Sequence, residues 1–249
     1  MSKRLFYSLA LSAAMLICGC VNTQRMDATA DSAREDILLS AKNYSGLIDL
    51  YRGWLKEKED PKVRYKLAYY YYLTGDSEAS ISYLQPLMQN PDDSIYMLQA
   101  KNMIAQAQYD KALRVTDMML TRNPESGDAY NLKGIAYAQS GRLTEAKESI
   151  ERARTLFIAD DVAINNLAMV SIIDRRYDDA VRLLLPQYLR GRKSEQLLHN
   201  LVFSLVKVGD VRYARDVIES EKLSDDADSI IDALDRVDGI PLAKGKEKG

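Results

Sequence analysis

Residues 127–160 read GDAYNLKGIAYAQSGRLTEAKESIERARTLFIAD. Gly134 and Ala146 are small residues placed where two antiparallel helices would approach each other closely. Gly141 lies between them and can end the first helix with a left-handed cap. The two tyrosines of the first half supply large apolar surface to a core. The stretch therefore predicts two helices joined by a tight turn.

The pattern of this stretch recurs along the chain at a fixed interval of 34 residues. Alanine occupies four positions at that spacing: Ala112, Ala146, Ala180 and Ala214. The same spacing separates Tyr109, Leu143, Tyr177 and Val211. A period of this size indicates a repeat architecture, in which each unit buries its apolar face against its neighbours.

A helix–turn–helix unit of this length resembles the tetratricopeptide repeat. The resemblance implies an all-α fold, a right-handed superhelical stack of about six repeats with a C-terminal capping helix. The repeat domain is predicted over 31–238, with units near 29–59, 60–92, 93–126, 127–160, 161–194 and 195–228.

Three local features refine this prediction. The first unit is the weakest, and its second helix is indicated by Tyr44, Leu47, Tyr51 and Trp54. Pro186 predicts a kink or an early stop in the second helix of its unit, because proline removes a backbone hydrogen bond. Residues 228–237 have the polar outer face expected of a capping helix.

The start of the chain indicates an export signal. A basic beginning precedes an apolar run over 5–17, shorter than the about 20 residues of a membrane-spanning helix. The following letters, ICGC over 17–20, resemble the bacterial lipobox. That resemblance implies a lipoprotein signal peptide over 1–19 and lipid attached to Cys20. Because Val21 follows instead of Asp, it also implies sorting to the outer membrane, with the protein on the periplasmic face.

The two ends of the mature chain are expected to carry no packed structure. Residues 20–30 are predicted to form the lipidated cysteine and a flexible tether. Residues 239–249 are basic and poor in apolar side chains, and we predict a disordered tail.

Composition excludes several classes of function. The chain has 34 basic and 36 acidic residues, and removing Lys3 and Arg4 with the signal leaves 32 against 36, a charge of −4. That balance lacks the excess of positive charge that is typical of proteins that bind nucleic acid. The chain has one histidine and two cysteines. One cysteine is lost with the signal and the other is lipidated, so too few side chains remain for Cys/His catalysis or for zinc ligation. We predict no enzyme activity, no metal, no small-molecule substrate, and no cofactor besides the lipid on Cys20.

In such a stack the first helix of each unit lines the concave face. The repeat register predicts a groove that suits an extended or helical peptide of a client protein. Its predicted members are Arg64, Tyr71, Tyr72, Met97, Lys101, Asn131, Asn165, Met169, His199 and Phe203. A purely structural role is the alternative for several of these residues. The tyrosines would then belong to the core, the asparagines to the solvated helix surface, and the single histidine would be a structural residue. The convex face is an alternative binding surface.

The whole layout resembles the TadD family, lipoproteins of tight-adherence (Flp pilus) assembly systems. The lipobox, the tether, the repeats and the stretch YNLKGIAY over 130–137 carry the resemblance. It implies a pilotin-like role, in which the protein binds the outer-membrane secretin, or another pilus assembly component, and promotes its localisation or assembly. Another adaptor lipoprotein with these repeats stays open: a type IVa pilotin, a part of the outer-membrane protein insertion machine, or a scaffold for peptidoglycan hydrolases. A cell-wall enzyme is the least favoured alternative.

Overall fold

The computed structural model describes residues 31–237. The predicted signal peptide, the lipidated Cys20, the tether up to residue 30 and the tail from residue 239 lie outside the described residues. Within 31–237 the regular secondary structure is entirely helical.

Thirteen α-helices follow one another through the described residues. They are α1 (31–40), α2 (Tyr44–Glu57), α3 (Pro61–Leu73), α4 (Ser77–Leu84), α5 (Asp93–Ala105), α6 (Tyr109–Arg122), α7 (Gly127–Gln139), α8 (Leu143–Thr155), α9 (Asp160–Ile173), α10 (Tyr177–Leu189), α11 (Glu195–Val208), α12 (Val211–Ser220) and α13 (Ala227–Asp235). A short 3₁₀ helix, Gln85–Gln89, follows α4. The odd-numbered helices α1 to α11 begin the helical hairpins and are called first helices below, and their even-numbered partners are called second helices.

The described chain divides after Tyr83 into two compact units. Unit 1 contains the described residues up to Tyr83, and unit 2 contains those from Leu84 onward. Each unit has its own apolar core.

Most first helices begin at a side chain that caps them. Asp60, Asp92, Ser126 and Ser194 each accept a hydrogen bond from a backbone N–H in the first turn of α3, α5, α7 and α11. Removing a cap of this kind typically costs about 1 kcal/mol of stability. These caps set where each repeat starts in the sequence.

The turn from first to second helix has the same backbone form in every hairpin. One residue in each turn has a positive φ: Lys42, Gly75, Ala107, Gly141, Arg175 and Gly209. The left-handed cap expected at Gly141 is confirmed, with φ of +82°. Ala107 and Arg175 adopt the same conformation although a side chain makes it costlier by roughly 1–2 kcal/mol. Helix packing therefore fixes the turn even where glycine is missing.

Unit 1 has an aromatic core centred on Tyr51, which is 1% exposed. The Tyr51 hydroxyl and the Lys66 ammonium both donate to the carboxylate of Glu35 on α1. Burial alone would raise the pKa of Glu35, but these two hydrogen bonds outweigh it and lower the pKa. Trp54 Nε1 donates to Asp31 at 2.9 Å. Helix α1 is thus held to α2 and α3 through polar contacts at the rim of the core.

Unit 2 depends on small residues between its paired helices. The four alanines at the 34-residue spacing, Ala112, Ala146, Ala180 and Ala214, are fully buried. A Cβ at Gly134 would lie 2.5 Å from Ile150 Cγ1 and 3.1 Å from the Ala146 carbonyl oxygen. The close approach of α7 and α8 that the sequence predicts at this point is confirmed.

Within unit 2 the first helices of successive hairpins touch one another. Helix α7 contacts α5 and α9, and α11 contacts α9 and α13. Among the described residues, neighbouring second helices make no comparable contacts. The first helices therefore lie on the more tightly packed side of unit 2. Helix α13 contacts both α11 and α12, which is the position of the predicted capping helix.

The expected early stop at Pro186 is wrong. Helix α10 continues past this proline and ends at Leu189. Proline lacks the N–H that would bond to the carbonyl four residues earlier, yet its ring is exposed. Leu184 and Gln187 on either side are buried, so their packing holds the last turn in place.

Candidate functional site

The first helices of unit 2 present an amide-rich surface between them. We call it the asparagine face and define it by Asn131 on α7, Asn165, Asn166 and Met169 on α9, and Asn200 and Phe203 on α11. All six side chains are half-buried. The buried side of α9 is formed by other residues, among them Ala163, Leu167 and Val170. The asparagine face therefore lies outside the core.

Four asparagines of this face form two hydrogen-bonded pairs that link three helices. Asn166 Nδ2 donates to Asn131 Oδ1 at 2.7 Å, joining α9 to α7. Asn200 Nδ2 donates to Asn165 Oδ1 at 3.0 Å, joining α11 to α9. Consecutive helical residues are about 100° apart around the axis. Asn165 consequently faces forward to the next helix, and Asn166 faces back to the previous one.

Each amide in these pairs keeps part of its hydrogen-bonding capacity. An asparagine side chain has two donor hydrogens and a carbonyl oxygen with two lone pairs. The pairing uses one N–H of Asn166 and one of Asn200, and a share of the oxygens of Asn131 and Asn165. The remaining donors and acceptors are held at fixed places on a half-exposed surface. They match the alternating N–H and C=O groups of a peptide backbone.

Apolar side chains flank the amides. Met169 is half-buried one turn after Asn165. The Phe203 ring meets the Tyr177 ring edge-on, with centroids 5.9 Å apart, and Lys207 Nζ lies 5.8 Å from the Phe203 centroid. These contacts fix the Phe203 ring beside Asn200. His199 is exposed on α11 and is the single histidine of the chain.

The other predicted groove residues of unit 2 lie on α5. Met97 is half-buried and packs against the core cluster of α5, α6 and α7, so much of its surface is structural. Lys101 is half-buried on the same helix and forms no ion pair with any described residue. The structure places neither of them in the network of paired amides.

Two of the three predicted groove residues of unit 1, Arg64 and Tyr71, are engaged in contacts within that unit. Arg64 donates through Nε and Nη2 to the Glu59 carboxylate, at 2.6 Å each, and the hydrogen bond raises the pKa of Arg64. Tyr71 stacks on Tyr83 at 5.3 Å with an interplanar angle of 10°. Tyr72 is half-buried, and burial raises its pKa. Arg64 and Tyr71 therefore have structural roles in unit 1.

The sequence prediction missed two members of the paired amides. Asn166 and Asn200 are separated by the same interval of 34 residues that links Asn131 and Asn165. That interval was a signal for a second column of asparagines. The interval does not predict which asparagine bonds to which, because that depends on how α7, α9 and α11 lie side by side.

A small cleft adjoins the asparagine face at Asn131. It has a volume of about 240 Å³ and lies between the start of α7, the loop after α8 and the start of α9. Its lining includes Asp128, Phe157 and Val162, and none of these residues is among the predicted groove residues.

Two further kinds of site are absent from the part of the chain that the structure describes. No group of three histidine, cysteine, aspartate or glutamate side chains is placed to hold a metal ion within 31–237. Over the same residues, no helix has both the length and the apolar character needed to cross a membrane.

Known proteins with similar sequences carry the same repeat. Residues 101–218 match the family model described as Psidin, N-terminal TPR repeats region. Tetratricopeptide repeat protein 21B of Xenopus laevis is 24% identical over 114 residues, which is 45% of this chain and 9% of that protein. The chain thus spans a small part of that relative.

Solved structures show the likeness over most of the fold. A thermophilic TPR protein of Thermus thermophilus superposes with a TM-score of 0.60 and 21% identity, covering 68% of this chain and 94% of the other. A tetratricopeptide repeat protein of Parabacteroides merdae gives 0.61 and 13%, covering 83% of each chain. The chain has the fold of the tetratricopeptide-repeat proteins. MamA of Desulfovibrio magneticus gives 0.53 and 18%, covering 67% of this chain and 97% of that one.

The predicted fold class is thereby confirmed. Repeat architectures of this kind present extended surfaces on which protein partners can bind.

Proposed function

We propose that the chain is a lipid-anchored adaptor of the outer membrane that binds an extended segment of a protein client along its asparagine face. The observation that carries the proposal is the pair of hydrogen bonds Asn166–Asn131 and Asn200–Asn165. They hold four amides in fixed orientations across three helices. A preorganised row of this kind loses little side-chain entropy when it binds a peptide backbone.

The composition of the face favours a peptide over a small molecule. The amides bond to backbone groups that every peptide has, while Met169 and Phe203 offer apolar contacts to its side chains. Methionine adapts its shape to different neighbours, which suits contact with a client side chain. The adjoining cleft of about 240 Å³ is below the about 300–1,000 Å³ of pockets for drug-sized ligands.

The membrane part of the proposal rests on the sequence around Cys20. Each buried CH₂ of an acyl chain contributes about 0.8 kcal/mol to membrane binding, and two chains already give stable attachment. An adaptor held at one membrane raises the effective concentration of its client there. This is how a pilotin-like protein would promote assembly of a secretin ring.

The client we propose is the secretin of a tight-adherence (Flp) pilus system, or another assembly component of that pilus. The proposal follows from the resemblance of the whole layout to the TadD family. It requires the client to expose an extended segment in the periplasm before it assembles.

Replacing Asn131 and Asn165 with alanine is expected to lower the amount of assembled secretin in the outer membrane about tenfold. The double variant removes one asparagine from each pair, which corresponds to about 1.4 kcal/mol of client binding at about 0.5–1.5 kcal/mol for each lost hydrogen bond. The measurement is the yield of heat-resistant secretin multimers from outer membranes of cells that express the variant.

The matched control replaces Lys147 and Glu151 with alanine. This ion pair lies on the exposed side of α8, with 53% and 54% of the two side chains exposed, and it is outside the asparagine face. We expect secretin assembly to be normal with the control. Normal assembly with the double asparagine variant, at equal protein levels and equal membrane attachment, would rule out the asparagine face as the client site.

A further inference from the structure

Phe157 is the most exposed large apolar side chain of the described residues. It follows the end of α8, and 95% of its surface is open to solvent. Its backbone is in the left-handed region, with φ of +63°. A phenylalanine that is both exposed and strained contributes little to the stability of the fold.

The next repeat has a glycine at the position equivalent to Phe157. Gly191 lies 34 residues after Phe157, follows the end of α10 and has φ of +83°. In the loop after α8, Phe157 N donates to the Arg154 carbonyl oxygen and Ile158 N to the Ala153 carbonyl oxygen. These are the hydrogen bonds of a helix-ending motif that favours glycine at its left-handed position. Phenylalanine is thus placed where glycine would fold more easily.

Phe157 is one of the residues that line the cleft beside the asparagine face. Val162, which is 44% exposed, adds apolar surface at the start of α9. Asn131 lines the same cleft and also accepts the hydrogen bond from Asn166. The cleft therefore adjoins the asparagine face at Asn131, which belongs to both.

The one charged residue among those that line the cleft is acidic. Asp128 lines it and forms no ion pair with any described residue. Asp160 is paired with Arg154 at 2.6 Å, and Asp161 lies 3.5 Å from Arg192. A ligand that brings a positive charge next to an apolar group complements this cleft in both respects.

We propose that the cleft of Asp128, Phe157 and Val162 selects the client segment by holding an apolar side chain with a lysine or arginine beside it. This inference rests on the proposed function, because it assigns a sequence preference to the segment bound along the asparagine face. Asn131 binds the backbone of the segment, Phe157 and Val162 cover its apolar side chain, and Asp128 pairs with the adjacent cation. The volume of about 240 Å³ fits one side chain and part of the backbone.

A selection from random peptides tests the proposal. The probe is a phage-displayed library of random dodecapeptides, selected on the full chain in mild detergent. We expect enrichment of an apolar residue next to lysine or arginine. The affinity of the synthetic consensus peptide is then measured by fluorescence anisotropy for the wild type and for single variants.

The variant Phe157→Gly separates binding from folding. It removes the apolar wall, and we expect it to weaken the peptide about tenfold or more, as loss of a central aromatic does at protein interfaces. It also relieves the left-handed strain, so we expect the melting temperature to rise by about 2–4 °C. A residue with a structural role alone would not give this combination.

Asp128→Asn tests the charge. An exposed ion pair contributes about 0.2–1 kcal/mol, so the affinity should fall up to about fivefold and its dependence on salt should decrease. The control is Leu189→Ala, which removes another exposed apolar side chain, 68% open to solvent, that does not line the cleft. It should leave the affinity unchanged.

The outcomes distinguish this inference from the proposed function. If Asn131→Ala/Asn165→Ala abolishes peptide binding while Phe157→Gly and Asp128→Asn do not weaken it, the cleft proposal is overturned and the asparagine face stands. Enrichment of acidic peptides also overturns the cleft proposal. If no peptide is enriched, or if the double asparagine variant binds like the wild type, both proposals fail.

Discussion

Replacing Gly134 with valine is expected to destabilise the protein by about 3 kcal/mol or more and to abolish folding of the hairpin formed by α7 and α8. A Cβ at this position meets Ile150 Cγ1 at 2.5 Å and the Ala146 carbonyl oxygen at 3.1 Å. Ile150 is buried, with 1% of its surface exposed, and the carbonyl belongs to a helix backbone, so neither can shift easily. The measurement is chemical unfolding followed by circular dichroism.

The comparison of Gly134→Ala with Gly53→Ala makes this test specific. Both glycines lie within helices, so the preference of helices for alanine favours both changes by about 1 kcal/mol. A Cβ at Gly53 meets nothing within 4 Å. We therefore expect Gly53→Ala to stabilise the protein and Gly134→Ala to destabilise it. Equal effects would contradict the close approach of α7 and α8.

Replacing Cys20 with alanine is expected to remove the protein from the outer membrane. Without the thiol no lipid can be attached, and the membrane affinity contributed by the acyl chains, about 0.8 kcal/mol for each buried CH₂, is lost. The measurements are incorporation of labelled palmitate and the distribution of the protein on a density gradient of cell membranes. Labelling should be absent, and the secretin should lose its outer-membrane location.

The fold must survive this change if the lipid acts only as an attachment. The control directs residues 21–249 to the periplasm with a cleavable, non-lipoprotein signal peptide. Its thermal unfolding should match that of the lipidated protein. A Cys20→Ala protein that still carries palmitate, or that reaches the outer membrane in normal amounts, contradicts the lipoprotein proposal.

The repeats could be predicted from the sequence because they depend on local spacing. The buried alanines recur every 34 residues, and the close contact at Gly134 forms within one helical hairpin. The period of 34 residues is therefore enough to place them. The course of α10 through Pro186 could not be predicted, because it depends on the burial of Leu184 and Gln187 against the rest of unit 2.

The site was harder to predict because it depends on contacts between repeats. The repeat register predicts Asn131 and Asn165 as groove residues but not their hydrogen-bond partners. Those partners, Asn166 and Asn200, lie 35 residues further along the chain, one more than the repeat period. Arg64 was predicted for the groove, and the structure pairs it with Glu59. Periodicity says which residues are equivalent, whereas their partners follow from how neighbouring helices are oriented.

The signal for Phe157 in the sequence is indirect: the equivalent position of the next repeat, 34 residues later, is Gly191. Phe157 lies outside both helices of its repeat, and its positive φ matches that of Gly191. The exposure of its side chain does not follow from residue type or spacing.

The most direct test of the account is photo-crosslinking in cells that express the full lipidated chain. A benzophenone amino acid is placed at Met169, within the asparagine face, and in a second strain at Lys147, on the exposed side of α8. The account predicts a crosslink from position 169 to the secretin, none from position 147, and loss of the crosslink when Asn131 and Asn165 are alanine. Equal crosslinking from both positions, or a crosslink at position 169 that persists without the two asparagines, would contradict it.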